Sequence, residues 1–498
     1  MKKALIFGLL AATVLPLAAC GDETPDYSDK DFDGLYDSID PTPDSNITGY
    51  KNSDGSESKE ILVKVDYRKF IAEGTPHYDR DIGVMMAIIA NNSYVSDRPK
   101  WSAVTSKYEN EESKINHALV QFGFNEIEHV VTSASDKDPF DMCGLYLGNH
   151  ILENEGKKYQ IFVASMEGYP QESAWISNLD LGADTQAYYD IDGDHPEWTN
   201  KKHHKGFDVT ANRAFNELKK YMDKKANEEV VDKVVLVTGH SRGGALTNLV
   251  GKQLFDNGIK SLAYAFNNPL TTSESDEAVL KKYTNIFNIH STNDYIGRYP
   301  FTNMHFTSYG NNLEYDLTIP KNATQYKNIY KQDFVGNSPA NLDLIDEIAK
   351  DFFPSREEAY AMGEAEEYEV YATKDLADEA AKTLNDSMVS AKLKNYAKVE
   401  VVENDDILTK DENPWAVTIA TRPYSILKFA CEVLVIAKTS DDKLGDIANM
   451  IYHGKPFVLD TALSVVAAFA SKEVEIDVLK FAMPHIAKTC VVGAMVAE

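Results

Sequence analysis

From about residue 80 the apolar positions of the chain follow two alternating rhythms. In "DIGVMMAIIANNSYV" and "SKINHALVQFGF" they recur at the spacing of one buried helical face. "CGLYLGNHIL" and "KYQIFVASM" are short apolar runs joined by the polar, glycine-containing "ENEGK", which predicts a β-pair. "NRAFNELKKYMDKKA" predicts an amphipathic helix ahead of the strand "KVVLVTG". "SLAYAFNNP" and "TNIFNIHSTND" are further apolar strands, each running out into polar loop residues. Strands that alternate with helices over residues 61–320 predict an α/β core, with a mainly parallel central sheet and helices on both faces. Residues 321–475 change character. They are acidic, rich in Ala and helical in pattern, as in "SREEAYAMGEAEEYEVYATKDLADEAAKTLNDSM". They predict a helical insertion, which either shields the core as a cap or covers a site as a lid. Residues 476–498 then form a C-terminal segment returning to the core.

The first 60 residues belong to neither rhythm. Lys2 and Lys3 precede the apolar run "ALIFGLLAATVLPLAA", which ends at Cys20. A positive start and a short, isolated apolar stretch predict a signal peptide over 1–19. "LAAC" (Leu17 to Cys20) resembles a bacterial lipoprotein lipobox, which implies cleavage before Cys20, acylation of Cys20 and attachment to a membrane through lipid chains. Gly21 follows, with no obvious inner-membrane retention signal, so the expected location is the outer envelope face. Residues 20–60 are rich in Asp, Ser, Pro and Gly and predict a tether. Within it, "DKDFDGLYDSID" sets Asp29, Asp31, Asp33, Gly34, Asp37 and Asp40 at positions 1, 3, 5, 6, 9 and 12 of an EF-hand-like loop. Carboxylates so spaced can wrap one Ca²⁺, and the segment is similar to the calcium loops of dockerin and thrombospondin type 3 repeats. Asp40 stands where a bidentate Glu is usual, and an acidic linker is the other reading.

Composition narrows the picture. The chain has 498 residues, 43% of them hydrophobic, and a formal net charge of -28. That charge disfavours nucleic acid, whose affinity for proteins comes largely from Lys and Arg. No later segment reaches the apolar length of about 20 residues that spans a bilayer; "SILKFACEVLVIAK" is interrupted by Lys428 and Glu432. Apart from Cys20 the cysteines are Cys143, Cys431 and Cys490, which allow at most one internal disulfide. Stability must come from a packed core. Composition leaves the oligomeric state open.

The candidate chemistry sits in "VVLVTGHSRGGAL" (Val234 to Leu246). Gly239-His240-Ser241-Arg242-Gly243 fits Gly-x-Ser-x-Gly, with a β-branched strand before it and a helical run after it, the context of a nucleophile elbow. Such a corner demands small residues at Gly239 and Gly243, holds Ser241 in a strained conformation and offers the backbone N–H of Arg242 to a developing oxyanion. A triad in the order Ser-Asp-His then requires a histidine late in the chain.

Five ordered segments between about residues 80 and 310 resemble the class 3 (fungal-type) lipase family of α/β-hydrolases, in a bacterial lipoprotein form. They are "LVTGHSRGGALTNLVG", "SAWISNLDLG", "HKGFDVTANRAF", "YAFNNPLT" (against a Phe-Gly-x-Pro strand end) and "IFNIHSTNDYIGRYP". The resemblance implies a triad acid at Asp294. Of the later histidines His305, His453 and His485, the one in "FAMPHIAKTCVV", His485, resembles the family's late histidine. Where an Arg-Gly-Thr/Ser run is expected after "YQIFVAS", the chain has Met166-Glu167-Gly168. Gly168 or Glu167 then supplies the second backbone donor of the oxyanion hole, and an inward Glu167 would oppose the anion.

Two functions follow. One is an envelope-anchored serine hydrolase of carboxylic esters, a lipase or phospholipase acting on lipid or another ester through Ser241, His485 and Asp294, with no catalytic cofactor. The other is a surface binding protein on a catalytically impaired hydrolase body, favoured by Met166-Glu167-Gly168. A peptidase uses the same triad.

Overall fold

The computed structural model describes residues 47–50, 61–71, 76–93, 114–132, 142–168, 177–178, 181–182, 198–300, 304–336, 342–343, 365–390, 397–421 and 483–497. Two short strands, β1 (Ile47–Tyr50) and β2 (Ile61–Lys64), pair antiparallel. They lead through α1 (Arg68–Ile71) to α2 (Arg80–Asn92), which Asp79 caps by accepting from the N–H groups of Asp81 and Ile82. The helix α3 (Lys114–Gln121) precedes the central sheet.

That sheet has seven strands in sequential order: β3 (Asn125–Thr132), β4 (Cys143–Asn154), β5 (Lys157–Met166), β6 (Val230–His240), β7 (Ser261–Phe266), β8 (Ile286–Ser291) and β9 (Asn311–Tyr315). β3, β4 and β5 pair antiparallel, and β5 through β9 pair parallel, as the alternation of strands and helices predicts. The turn between β4 and β5 holds Glu155 and Gly156 at positive φ, which the polar "ENEGK" accommodates.

The sequential order decides which helices cover which face. Right-handed crossovers between neighbouring parallel strands put α4 (Lys205–Lys224) and α5 (Arg242–Asp256) on the same face. The other face needs cover from outside the parallel run. α2 from the N-terminal side and α9 (Lys488–Val496) from the C-terminal end supply it by packing on each other and on the sheet. β6 shows the split residue by residue: Val234 and Leu236 join the core with α2 and α9, while Val235 and Val237 join the core with α4 and α5. Tyr78 Oη donates to the Ala494 carbonyl at 2.9 Å and ties the segment before α2 to α9. Cys143 and Cys490 are buried free thiols.

Beyond α6 (Glu277–Lys281) and α7 (Pro320–Tyr330), the region read from sequence as a helical insertion is not all helix. β10 (Ala365–Tyr371), β11 (Ala397–Glu403) and β12 (Trp415–Thr421) form an antiparallel sheet in the order β10-β12-β11. α8 (Lys374–Ser390) packs on it through Ala377 and Ala381 against Val417. Glu and Ala favour helix, yet "AKVEVVE" and "WAVTIAT" also alternate with period two. Val, Thr, Ile and Trp give β11 and β12 strand propensity, and pairing with β12 draws in β10, where Glu366, Glu367 and Glu369 favour helix.

Burial also sets an acid limit. His150 on β4 is 1% exposed, bonds the Gly123 carbonyl through Nδ1 at 3.0 Å, and is pushed down to about 4 by loss of solvation. The fold holds it neutral, whereas the unfolded chain protonates it near its ordinary value of 6.5. Its contribution is therefore present above about pH 6.5 and lost as pH falls toward 4, by up to about 3 kcal/mol. Urea unfolding should show stability falling through that window, and His150→Gln should make the fall shallower. An unchanged slope would contradict a buried neutral His150.

Candidate active site

Ser241 stands between β6 and α5 with φ 57° and ψ −127°, a left-handed backbone that a side chain rarely adopts. The close approach of strand and helix holds it there. A Cβ on Gly239 would lie 2.4 Å from the carbonyl carbon of Gly243, and one on Gly243 would lie 2.2 Å from the Met166 carbonyl oxygen. Gly244 is pressed the same way against Asn268, at 2.8 Å. The Ser241 N–H donates to the Phe266 carbonyl at 3.0 Å, and the Ser241 carbonyl accepts the Ala245 N–H at 3.1 Å. The side chain thus projects at the N-terminus of α5, where unbonded N–H groups and the helix dipole favour negative charge.

Asp294 lies just past the end of β8. Its N–H donates to the Ser291 carbonyl at 3.1 Å, and its Oδ1 accepts the Ile296 N–H at 3.0 Å. Its side chain is 1% exposed, and Oδ2 lies 2.7 Å from His485 Nδ1. His485 Nε2 lies 2.7 Å from Ser241 Oγ. A carboxylate only accepts, so Nδ1 carries the proton and Nε2 is left to accept from the serine hydroxyl. The three residues read from the sequence as a triad are therefore brought into one hydrogen-bonded line. His305 is exposed, at φ 59°, and His453 lies outside the described residues.

His240 has a part that its place in the motif did not reveal. It is 2% exposed, and its ring sits 4.8 Å from that of His485. Loss of solvation, with the neighbouring His485, pushes its pKa well below 6.5, while a hydrogen bond to the His485 main chain pulls the other way. His240 is thus a neutral wall against the side of the His485 ring.

On the β5 side, the Glu167 N–H is bonded to the Gly144 carbonyl at 2.9 Å, extending the β4–β5 ladder. Of the two backbone donors expected there, Gly168 is the one this bond leaves. The Glu167 carboxylate lies against β4: a Cβ on Gly144 would sit 1.9 Å from Oε2. Arg242, 1% exposed, donates to the Met142 carbonyl at 2.9 Å, to Ser177 Oγ at 3.0 Å and to Thr210 Oγ1 at 2.8 Å. Burial pushes the Cys143 thiol up to about 12; Arg242 lowers it and Glu167 raises it, so both charges reach the same buried sulfur.

No cluster of three or more His, Cys, Asp or Glu suited to a metal occurs among the described residues, and no described helix is long and apolar enough to cross a membrane. Cys20 and the proposed calcium ligands Asp29, Asp31, Asp33, Asp37 and Asp40 lie outside the described residues.

Residues 163–304 match the family model for lipase (class 3), a family of carboxylic ester hydrolases. A search of curated proteins finds no match. Among solved structures, the chain is similar to Lip2 lipase from Yarrowia lipolytica, at 19% identity over 49% of this chain and 82% of that one, with a TM-score of 0.28. It is similar to a mono- and diacylglycerol lipase from Aspergillus oryzae, at 15% identity over 48% and 80%, TM-score 0.31, and to lipase II from Rhizopus niveus, at 14% identity over 47% and 80%, TM-score 0.30. The α/β architecture itself is established by the strand order.

Gly243→Ala forces its methyl onto the backbone oxygen of Met166, which cannot move without β5. It should cost about 3 kcal/mol by chemical denaturation. A loss below about 0.5 kcal/mol would contradict the close contact.

Proposed function

We propose that this class 3 lipase-family hydrolase cleaves lipid carboxylic esters through Ser241, His485 and Asp294. The observation that carries the reading is the unbroken line from Asp294 Oδ2 to His485 Nδ1 and from His485 Nε2 to Ser241 Oγ, 2.7 Å at each step, ending on a serine held at a strained corner. Ser241 Oγ attacks the acyl carbonyl as His485 Nε2 takes its proton. Asp294, fixed by the Ile296 N–H, keeps the ring in the correct tautomer and offsets the imidazolium charge. The tetrahedral oxyanion meets the Arg242 N–H at the start of α5 and the Gly168 N–H at the end of β5. His485 returns the proton to the leaving alcohol, and water then repeats the sequence on the acyl-enzyme.

The second reading, a binding protein on an impaired hydrolase body, draws on Glu167, whose N–H is already bonded to the Gly144 carbonyl and whose carboxylate lies against β4. Kinetics separate the two. The wild type should hydrolyse p-nitrophenyl butyrate and emulsified triacylglycerol. Ser241→Ala, His485→Ala and Asp294→Asn should each lower kcat by about 10⁴-fold or more. A folded wild type no faster than Ser241→Ala would favour the binding protein.

The lipobox-like "LAAC" supports an anchor at Cys20 in the bacterial cell envelope, on its outer face. Cells fed an alkyne fatty acid should label the wild type and not Cys20→Ser; equal labelling of both would sink the anchor.

A further inference from the structure

β7 ends at Phe266, and the next residue turns out of the sheet. Asn267 has φ 43°, a left-handed backbone that suits glycine, and it is the point where "YAFNNPLT" departs from Phe-Gly-x-Pro. Its side chain is fully buried and all of it is engaged. Oδ1 accepts the Ser291 N–H at 2.8 Å and the Tyr315 hydroxyl at 3.1 Å. Nδ2 faces the Pro484 carbonyl at 3.3 Å and Thr489 Oγ1 at 3.4 Å.

These partners belong to the two arms of the candidate triad. Ser291 is the last residue of β8, and its carbonyl accepts the Asp294 N–H. The Pro484 carbonyl belongs to the peptide unit that carries the His485 nitrogen. One rigid, planar amide therefore links the strand end that sets Asp294 to the peptide that sets His485. Tyr315, against which Gly493 of α9 is packed with no room for a Cβ (2.4 Å to Cε1), closes the cluster from the third side. Thr489 Oγ1, itself 3.0 Å from the Pro484 carbonyl, closes it from the fourth.

We propose that Asn267 is a positioning residue that holds His485 in register with Asp294, in place of a glycine that would leave the two loops unlinked. The proposal rests on the triad reading but concerns the His485–Asp294 bond, which can be observed without turnover. A productive geometry is sensitive to displacements of this scale, because a misplacement of about 1 Å can cost about 100-fold in rate.

The test uses the full chain, labelled with ¹⁵N-histidine, and follows the downfield, exchange-protected Nδ1–H proton of His485 by NMR, with ester hydrolysis measured alongside. Asn267→Gly suits the backbone and deletes both links. Asn267→Asp keeps the acceptor for Ser291 and Tyr315 and puts an oxygen, not a donor, against the Pro484 carbonyl. In each folded variant the Nδ1–H signal should lose protection, and kcat should fall at least about 10-fold with KM held within about twofold. If only one of the variants folds, that one decides. Wild-type protection in a folded variant would overturn the proposal, as would a wild type with no protected Nδ1–H. A wild type that shows the signal, loses it in the variants and yet hydrolyses no ester would uphold Asn267 while removing the hydrolase reading.

Discussion

The site depends on the packing of α9 against α2. His485 lies 244 residues from Ser241 in the chain, and no local element could place it. The sequential order of the parallel strands commits α4 and α5 to one face of the sheet and leaves the opposite face bare. The last helix fills that face beside α2, and the residue three positions before it becomes the partner of the serine. Covering the second half of the core and completing the site are one event. Ordering so remote a segment costs chain entropy that apolar burial must offset, and Cys490, Val491, Val492 and Ala494 are buried there.

The elbow adds a second constraint, steric rather than hydrophobic. Gly239 and Gly243 let β6 and α5 touch, and the touch twists Ser241 into its left-handed backbone. The same contact presses the start of α5 onto the end of β5. The Glu167 carboxylate lies against Gly144 of β4. The buried guanidinium of Arg242, on the residue after the serine, is held by the Met142 carbonyl and the hydroxyls of Ser177 and Thr210.

What could be read from the sequence follows from how far each interaction reaches along the chain. The elbow is local, so the glycines around Ser241 and the flanking strand and helix announced it. The parallel sheet was legible from alternation alone. Asp294 and His485 needed a resemblance and a chain-order rule, because nothing near either residue shows that they meet. His240, Tyr315 and Asn267 went unread for the same reason: each is an ordinary polar residue whose partners lie far away in sequence. The sheet β10-β12-β11 was hidden differently. Its Val- and Thr-bearing strands β11 and β12 alternate with period two but sit in a region whose Glu and Ala content reads as helix, and β10 is fixed as a strand by pairing with β12.

The central claim is that Ser241 is an activated nucleophile, its hydroxyl polarised by His485. It is tested most directly by treating the folded chain, with detergent and calcium present, with a fluorophosphonate and mapping the adduct by peptide mass spectrometry. The account predicts one phosphonylated tryptic peptide, spanning Val234 to Arg242 and modified at Ser241, which disappears in Ser241→Ala. A folded chain that stays unmodified, or one modified elsewhere while Ser241 stays free, would contradict it.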